Sequence, residues 1–191
     1  MKIDGHNGVT RVTDPTFERK LPFDIPLREP ILEAAMKNGV DPAYLAAIGV
    51  QETHLGADYL GATTAHYKST HRGDVEDDSV GGHGYGPFQK DDQKRFGQSG
   101  LPQSELDRIA RDPYYAADVA AKDLAQNIKA ADGNLTEAFH LYNAGTLTQR
   151  SSTTDWGPTE RNVPYEDSTM RYLHQVQNTA AREAPTLGHS R

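Results

Sequence analysis

Apolar positions recur at helical spacing along most of this chain, and capping residues punctuate them. Ile31, Leu32, Ala35 and Met36 make one face of a short helix from Pro30 to Asn38, with Gly39 as its stop. Asp41-Pro42 then supplies an N-cap followed by a first-turn proline. The helix it opens passes through Tyr44, Leu45, Ala46, Ala47, Ile48 and Val50 to Leu55, where Gly56 closes it. Asp112-Pro113 repeats the device and predicts a helix to Ala131, with Ala117, Ala121, Leu124 and Ile128 on one side and Gly133 at its end. Asn134 and Glu137 have the spacing of a capping box and start a helix through Tyr142. A last helix is predicted from Asp167 to Ala180, with Thr169, Leu173, Val176 and Ala180 facing inward.

Between the helices the periodicity breaks. Residues 1 to 27 contain Asp14-Pro15, Leu21-Pro22 and Ile25-Pro26 and read as an extended N-terminal arm. Packing on the domain is the simpler reading of this arm, and an export or docking tag is the other. Residues 57 to 84 are rich in Gly, His, Thr and Asp and predict a long loop, with a small hairpin from about Val80 to Gln89. Residues 146 to 164 are polar and turn-rich. The expected organisation is an arm (1–27), one mostly helical α+β domain (28–180) and a frayed tail (181–191).

Composition narrows the classes. The 191 residues contain no cysteine, which removes disulfides, thiolate catalysis and Cys-ligated zinc. Mean hydropathy is -0.74 and no apolar run is long enough to cross a bilayer, so no membrane span is expected. Net charge is -7, without a basic stripe, and nucleic acid is not an expected partner. The first residues, Met1 to Asn7, lack the apolar stretch of a cleavable secretory signal.

One residue does not fit its face. Leu45, Ile48, Glu52 and Leu55 share one side of the second helix, apolar apart from Glu52. A carboxyl there is desolvated, which raises its pKa and suits it to general-acid work near neutrality. The structural alternative is a Glu at a helix end that tips into solvent or pairs with a cation.

The residues around Glu52 carry a family resemblance. Ala46-Ala47-Ile48-Gly49-Val50-Gln51-Glu52-Thr53-His54-Leu55-Gly56 resembles the catalytic-glutamate helix of goose-type lysozymes and soluble lytic transglycosylases. Gly84-Tyr85-Gly86-Pro87-Phe88-Gln89-Lys90-Asp91 is similar to the second block of that superfamily, and Leu141-Tyr142-Asn143-Ala144-Gly145 to the third. Tyr165 matches a fourth position, a Tyr opening the last helix, more loosely. The resemblance spans about residues 28 to 180. It implies a lysozyme-like fold with a small β-hairpin and an active-site groove. It also implies cleavage of the β-1,4 bond between N-acetylmuramic acid and N-acetylglucosamine in peptidoglycan glycan strands.

In that reading Glu52 is the general acid. Gly84 and Gly86 let a sugar approach the backbone or simply make a hairpin turn, Gln89 hydrogen-bonds an acetamido group or orients the loop, and Tyr142, Asn143 and Tyr165 line the substrate, with helix closure the alternative for Asn143 and helix-entry packing that for Tyr165. The Tyr142 ring is expected to be buried, with its hydroxyl toward the cleft; the alternative is a core tyrosine with a satisfied hydroxyl. Asp91 matches the Asp that follows the Gln block in goose-type lysozymes and is the expected water-activating base. The family's other Asp falls near Val80, where this chain departs from the pattern; Asp77 or Asp78 are substitutes, and Asp92 reads as a solvated neighbour. Without such a base the sugar's own 6-hydroxyl attacks, giving the 1,6-anhydro product of a lytic transglycosylase.

Other features add less. His54, His66, His71 and His83 flank the cleft segment without a metal-binding helix motif, and neither a metal nor another cofactor is expected. The run Asp74, Glu76, Asp77, Asp78 lacks the calcium-loop pattern. Trp156, the only Trp, either stacks on a sugar or anchors a lid. The expected protein is a monomer that reaches the cell wall, in the periplasm or outside the cell, as a phage lysis enzyme or an injected antibacterial effector. An effector implies a cognate inhibitor or immunity protein, and a basic one would match the acidic charge. The rival readings are a lytic transglycosylase, a chitin-active enzyme, and a non-catalytic peptidoglycan-binding or structural module.

Overall fold

The computed structural model describes residues 14–56, 84–91, 101–148, 153–154 and 163–184. Four of the helices among these residues start where a short polar side chain can take the first free backbone N–H groups. Asp14 Oδ1 accepts from the Thr16 N–H (2.9 Å) ahead of α1 (Pro15–Glu18). Asp41 Oδ1 accepts from Ala43 (2.9 Å) ahead of α3 (Pro42–Thr53). Asp112 Oδ1 accepts from both Tyr114 and Tyr115 (3.1 Å each) ahead of α5 (Pro113–Ala130). Asn134 Oδ1 accepts from Glu137 (3.3 Å) ahead of α6 (Leu135–Ala144). The other three, α2 (Arg28–Asn38), α4 (Gln103–Arg111) and α7 (Tyr165–Glu183), have no side-chain cap.

The described residues are mostly helical, with two antiparallel β pairs of two residues per strand. In the first, β1 (Gly84–Tyr85) pairs with β2 (Lys90–Asp91), in register Gly84 to Asp91 and Tyr85 to Lys90. In the second, β3 (Thr153–Thr154) pairs with β4 (Val163–Pro164).

Helix α3 lies at the centre. Ten of its twelve residues are buried, which fits a helix that is apolar nearly all round. It packs against α2, α5 and α7, while α6 bridges α5 and α7 and α2 lies along α5. Ile31, Leu45, Ile48, Val50, Leu124, Phe139 and Val176 form one continuous core. At roughly 1.5–3 kcal/mol for each fully buried large apolar side chain, this core is the main source of stability.

The described part of the N-terminal arm packs on the domain, as its simpler reading expects, with Leu21 and Ile25 buried in the core. The Phe23 N–H donates to Glu183 Oε2 (2.7 Å), tying that segment to the end of α7. Several other sequence expectations change in detail. Met36 was expected inside but is 37% exposed; Ala34 is buried in its place. Helix α4 had no predicted counterpart, since only Leu106 and Ile109 are buried in a polar segment. Helix α7 starts two residues earlier than predicted and runs three further, and β3–β4 lies where only turns were expected. Residues 1–13 and 57–83, with the long loop, lie outside the described residues.

Candidate functional site

The site grows from the end of α3. The α-helical hydrogen bonding stops at Thr53, and His54 and Leu55 follow with φ of 52° and 56°, in the left-handed region. This double reversal folds Leu55 back over Gly49. A Cβ at Gly49 would lie 2.3 Å from Leu55 Cδ2 and 2.9 Å from Phe88 Cε1, so only glycine leaves room for both. Phe88 therefore seats the β1–β2 turn directly on α3.

Three consecutive carbonyls of that turn are held by side chains. Gln89 Nε2 donates to Gly86 O (3.0 Å), Thr53 Oγ1 to Pro87 O (2.7 Å) and the Tyr142 hydroxyl to Phe88 O (2.9 Å). Gly86 has φ of 70°, and a Cβ there would lie 2.6 Å from the Ile109 carbonyl oxygen. Beyond the turn, Lys90 Nζ is paired with Asp123 of α5. Polar contacts thus clamp the hairpin to α3, α5 and α6.

Glu52 lies partly buried one residue before the end of α3, beside this hairpin. The Tyr165 hydroxyl, from the first residue of α7, donates to Glu52 Oε1 (2.6 Å). Desolvation pushes the Glu52 carboxyl up to about 7, although the Tyr165 hydrogen bond favours the ionised form and pulls the other way. Burial also raises the Tyr165 and Tyr142 hydroxyls well above the usual range, reinforced in both by the nearby Glu52 charge. Both tyrosines therefore remain neutral donors. Next to Glu52, Gln51 is buried, and its Oε1 accepts from Ser168 Oγ (2.6 Å), which locks α3 to α7.

Glu52, Tyr142 and Tyr165 thus meet from three separate helices, and Gly86 and Gln89 belong to the turn that Tyr142 holds. The Tyr142 hydroxyl donates its proton to the turn, as the alternative of a satisfied hydroxyl has it. The Gln89 amide likewise folds back onto its own turn. Asn143 follows Tyr142 near the end of α6. Asp91 closes the hairpin opposite Gly84, and its side chain lies outside the described residues. So do Asp77, Asp78, Asp92, His66, His71, His83 and Trp156. His54 is buried edge-on to Tyr172, with ring centroids 6.0 Å apart.

Sequence reasoning missed Thr53 as a clamp on the hairpin, although its place beside Glu52 was visible. It also missed His140, which lies two residues before Tyr142. Among the described residues no helix is long and apolar enough to cross a membrane, and no three His, Asp or Glu converge as a metal site. Compared with protein-family models, curated proteins and solved structures, the chain matches none of them.

Proposed function

We propose that this chain is a lysozyme-like muramidase that cleaves the β-1,4 bond between N-acetylmuramic acid and N-acetylglucosamine in peptidoglycan, with Glu52 as general acid. The observation that carries the reading is the state of Glu52. It is a desolvated carboxyl that keeps its proton up to about pH 7, and Thr53 beside it in the chain holds the hairpin turn together with Tyr142. An alkoxide is a poor leaving group, so a glycosidase needs an acid that is still protonated at working pH.

In the proposed step Glu52 gives its proton to the glycosidic oxygen while the bond to the sugar's anomeric carbon breaks. The negative charge left on Glu52 is met by the Tyr165 hydroxyl already donating to it. The same hydrogen bond that opposes protonation of the resting acid stabilises the conjugate base formed in the reaction. Water, with Asp91 as proposed base, then completes hydrolysis. The sequence blocks around Glu52, Gln89 and Tyr142 supply the choice of peptidoglycan as substrate, and with it a place of action at the cell wall.

The test is mass spectrometry of products from purified peptidoglycan, with Glu52→Gln alongside. Fragments ending in reducing N-acetylmuramic acid support the hydrolase. Fragments lighter by one water, as 1,6-anhydro sugars, replace it with a lytic transglycosylase that uses the same acid. Cleavage of chitin oligomers alone moves the substrate. Failure to cleave either polymer, under conditions where another muramidase works, overturns the enzyme reading.

A further inference from the structure

His140 lies on α6, two residues before Tyr142, with its side chain only 16% exposed. Its Nδ1 is 3.4 Å from Glu166 Oε1, and its Nε2 is 3.1 Å from the Thr146 carbonyl oxygen. A carboxylate and a backbone carbonyl are both acceptors. A neutral imidazole carries one N–H and can satisfy only one of them, whereas the imidazolium satisfies both.

The two partners sit at significant places. Thr146 follows Gly145, the left-handed C-cap of α6, just beyond Tyr142 and Asn143. Glu166 is the second residue of α7, and Tyr165 immediately before it donates to Glu52. His140 therefore bridges the end of the helix that carries Tyr142 and the start of the helix that carries Tyr165. Glu137, one turn earlier on α6, accepts from the Asn134 side chain, and Asp123 of the packed α5 pairs with Lys90.

We propose that His140, by bridging Thr146 and Glu166, is a positioning residue that fixes the start of α7 and so holds the Tyr165 hydroxyl on Glu52. Without that bridge the hydrogen bond that stabilises the Glu52 anion is held less firmly. The enzyme's acid is coupled in this way to a histidine that does not touch it. This inference rests on the proposed role of Glu52, but its test does not depend on turnover.

The experiment follows the carboxyl carbon of Glu52 by NMR as pH is varied, in protein carrying 13C-labelled glutamate, with the signal assigned from Glu52→Gln. Wild type, His140→Gln, Tyr165→Phe and the double variant are compared. Loss of a donor to the carboxylate raises its midpoint, so Tyr165→Phe is expected to move Glu52 upward by about one unit. His140→Gln is expected to move it the same way by about half a unit. The double variant should move no further than Tyr165→Phe alone. An unmoved midpoint in His140→Gln, or an equal shift with and without the Tyr165 hydroxyl, overturns the proposal. Glu166→Gln leaves the imidazole in place and serves as the second probe if His140→Gln does not fold. The same comparison decides there. Failure of the muramidase reading would instead show as absent cleavage by wild type, with these shifts intact.

Discussion

Replacing Gly49 by alanine sets two known effects against each other. In a helix interior, alanine is favoured over glycine by about 0.8–1 kcal/mol. In this helix, the new methyl would stand 2.3 Å from Leu55 Cδ2 and 2.9 Å from Phe88 Cε1, against an ordinary carbon–carbon contact of roughly 3.5–4 Å. Neither neighbour can simply swing away, since Leu55 is 3% exposed and Phe88 1%. Overpacking of a filled core costs about 1–3 kcal/mol. The clash therefore offsets or outweighs the helix gain, and the net loss expected from urea unfolding is about 0–2 kcal/mol. The effect on activity should be larger. Relief of the clash pushes Phe88, and with it the turn bonded to Thr53 and Tyr142, away from Glu52. A shift of about 1 Å at a reacting centre is enough for a loss on the order of 100-fold. A Gly49→Ala variant that is more stable than wild type by about 1 kcal/mol and fully active would refute the reasoning. It would mean that Leu55 and Phe88 do not close over Gly49.

Three other predictions concern the same corner. Glu52 is raised from 4.5 to about 7 by burial, so the folded state holds its proton more tightly than the unfolded chain. Its contribution to stability is present at low pH and is lost as pH rises between those values, by up to about 3 kcal/mol. Glu52→Gln should then match wild type near about pH 4 and exceed it above about pH 8 in urea unfolding, and equal stability at the higher pH would contradict this. Thr53→Val removes the donor to a turn carbonyl while keeping side-chain shape, with an expected loss of about 1–3 kcal/mol by thermal or urea unfolding; an unchanged midpoint would contradict it. Cleavage rate should fall as pH rises through about 7, where Glu52 loses its proton. A pH–rate profile that already falls in the ordinary carboxylate range, near about pH 4–5, would remove Glu52 as the acid.

Local signals explain how much of this molecule could be read in advance. Asp41-Pro42, Asp112-Pro113 and the Asn134–Glu137 pair are caps that act within one turn, and each marks a real helix start. The misplaced polarity of Glu52 was visible for the same reason, since periodicity along α3 is local. Helix α4 was hidden because it buries only two apolar side chains and starts after Pro102 with no side-chain cap. Met36 and Ala34 exchange places because the helix face toward α5 is set by packing, not by the order of apolar residues. The polar contacts of the site were the least legible. Thr53 to Pro87 joins residues 34 apart, Tyr142 to Phe88 54 apart and Tyr165 to Glu52 113 apart. No periodicity encodes such pairs. Motif resemblance named the tyrosines and Gln89 but left their partners open. Gln89 orients its own turn and the Tyr142 hydroxyl is satisfied by a turn carbonyl, the alternatives that stood beside substrate contact in the sequence.

The most direct test of the account is release of soluble fragments from purified peptidoglycan by wild type and by Glu52→Gln, with both proteins shown to be folded by urea unfolding. Wild type is expected to release fragments steadily near neutral pH, and the variant none above background. Equal release by both would contradict it, because cleavage would then proceed without the buried acid.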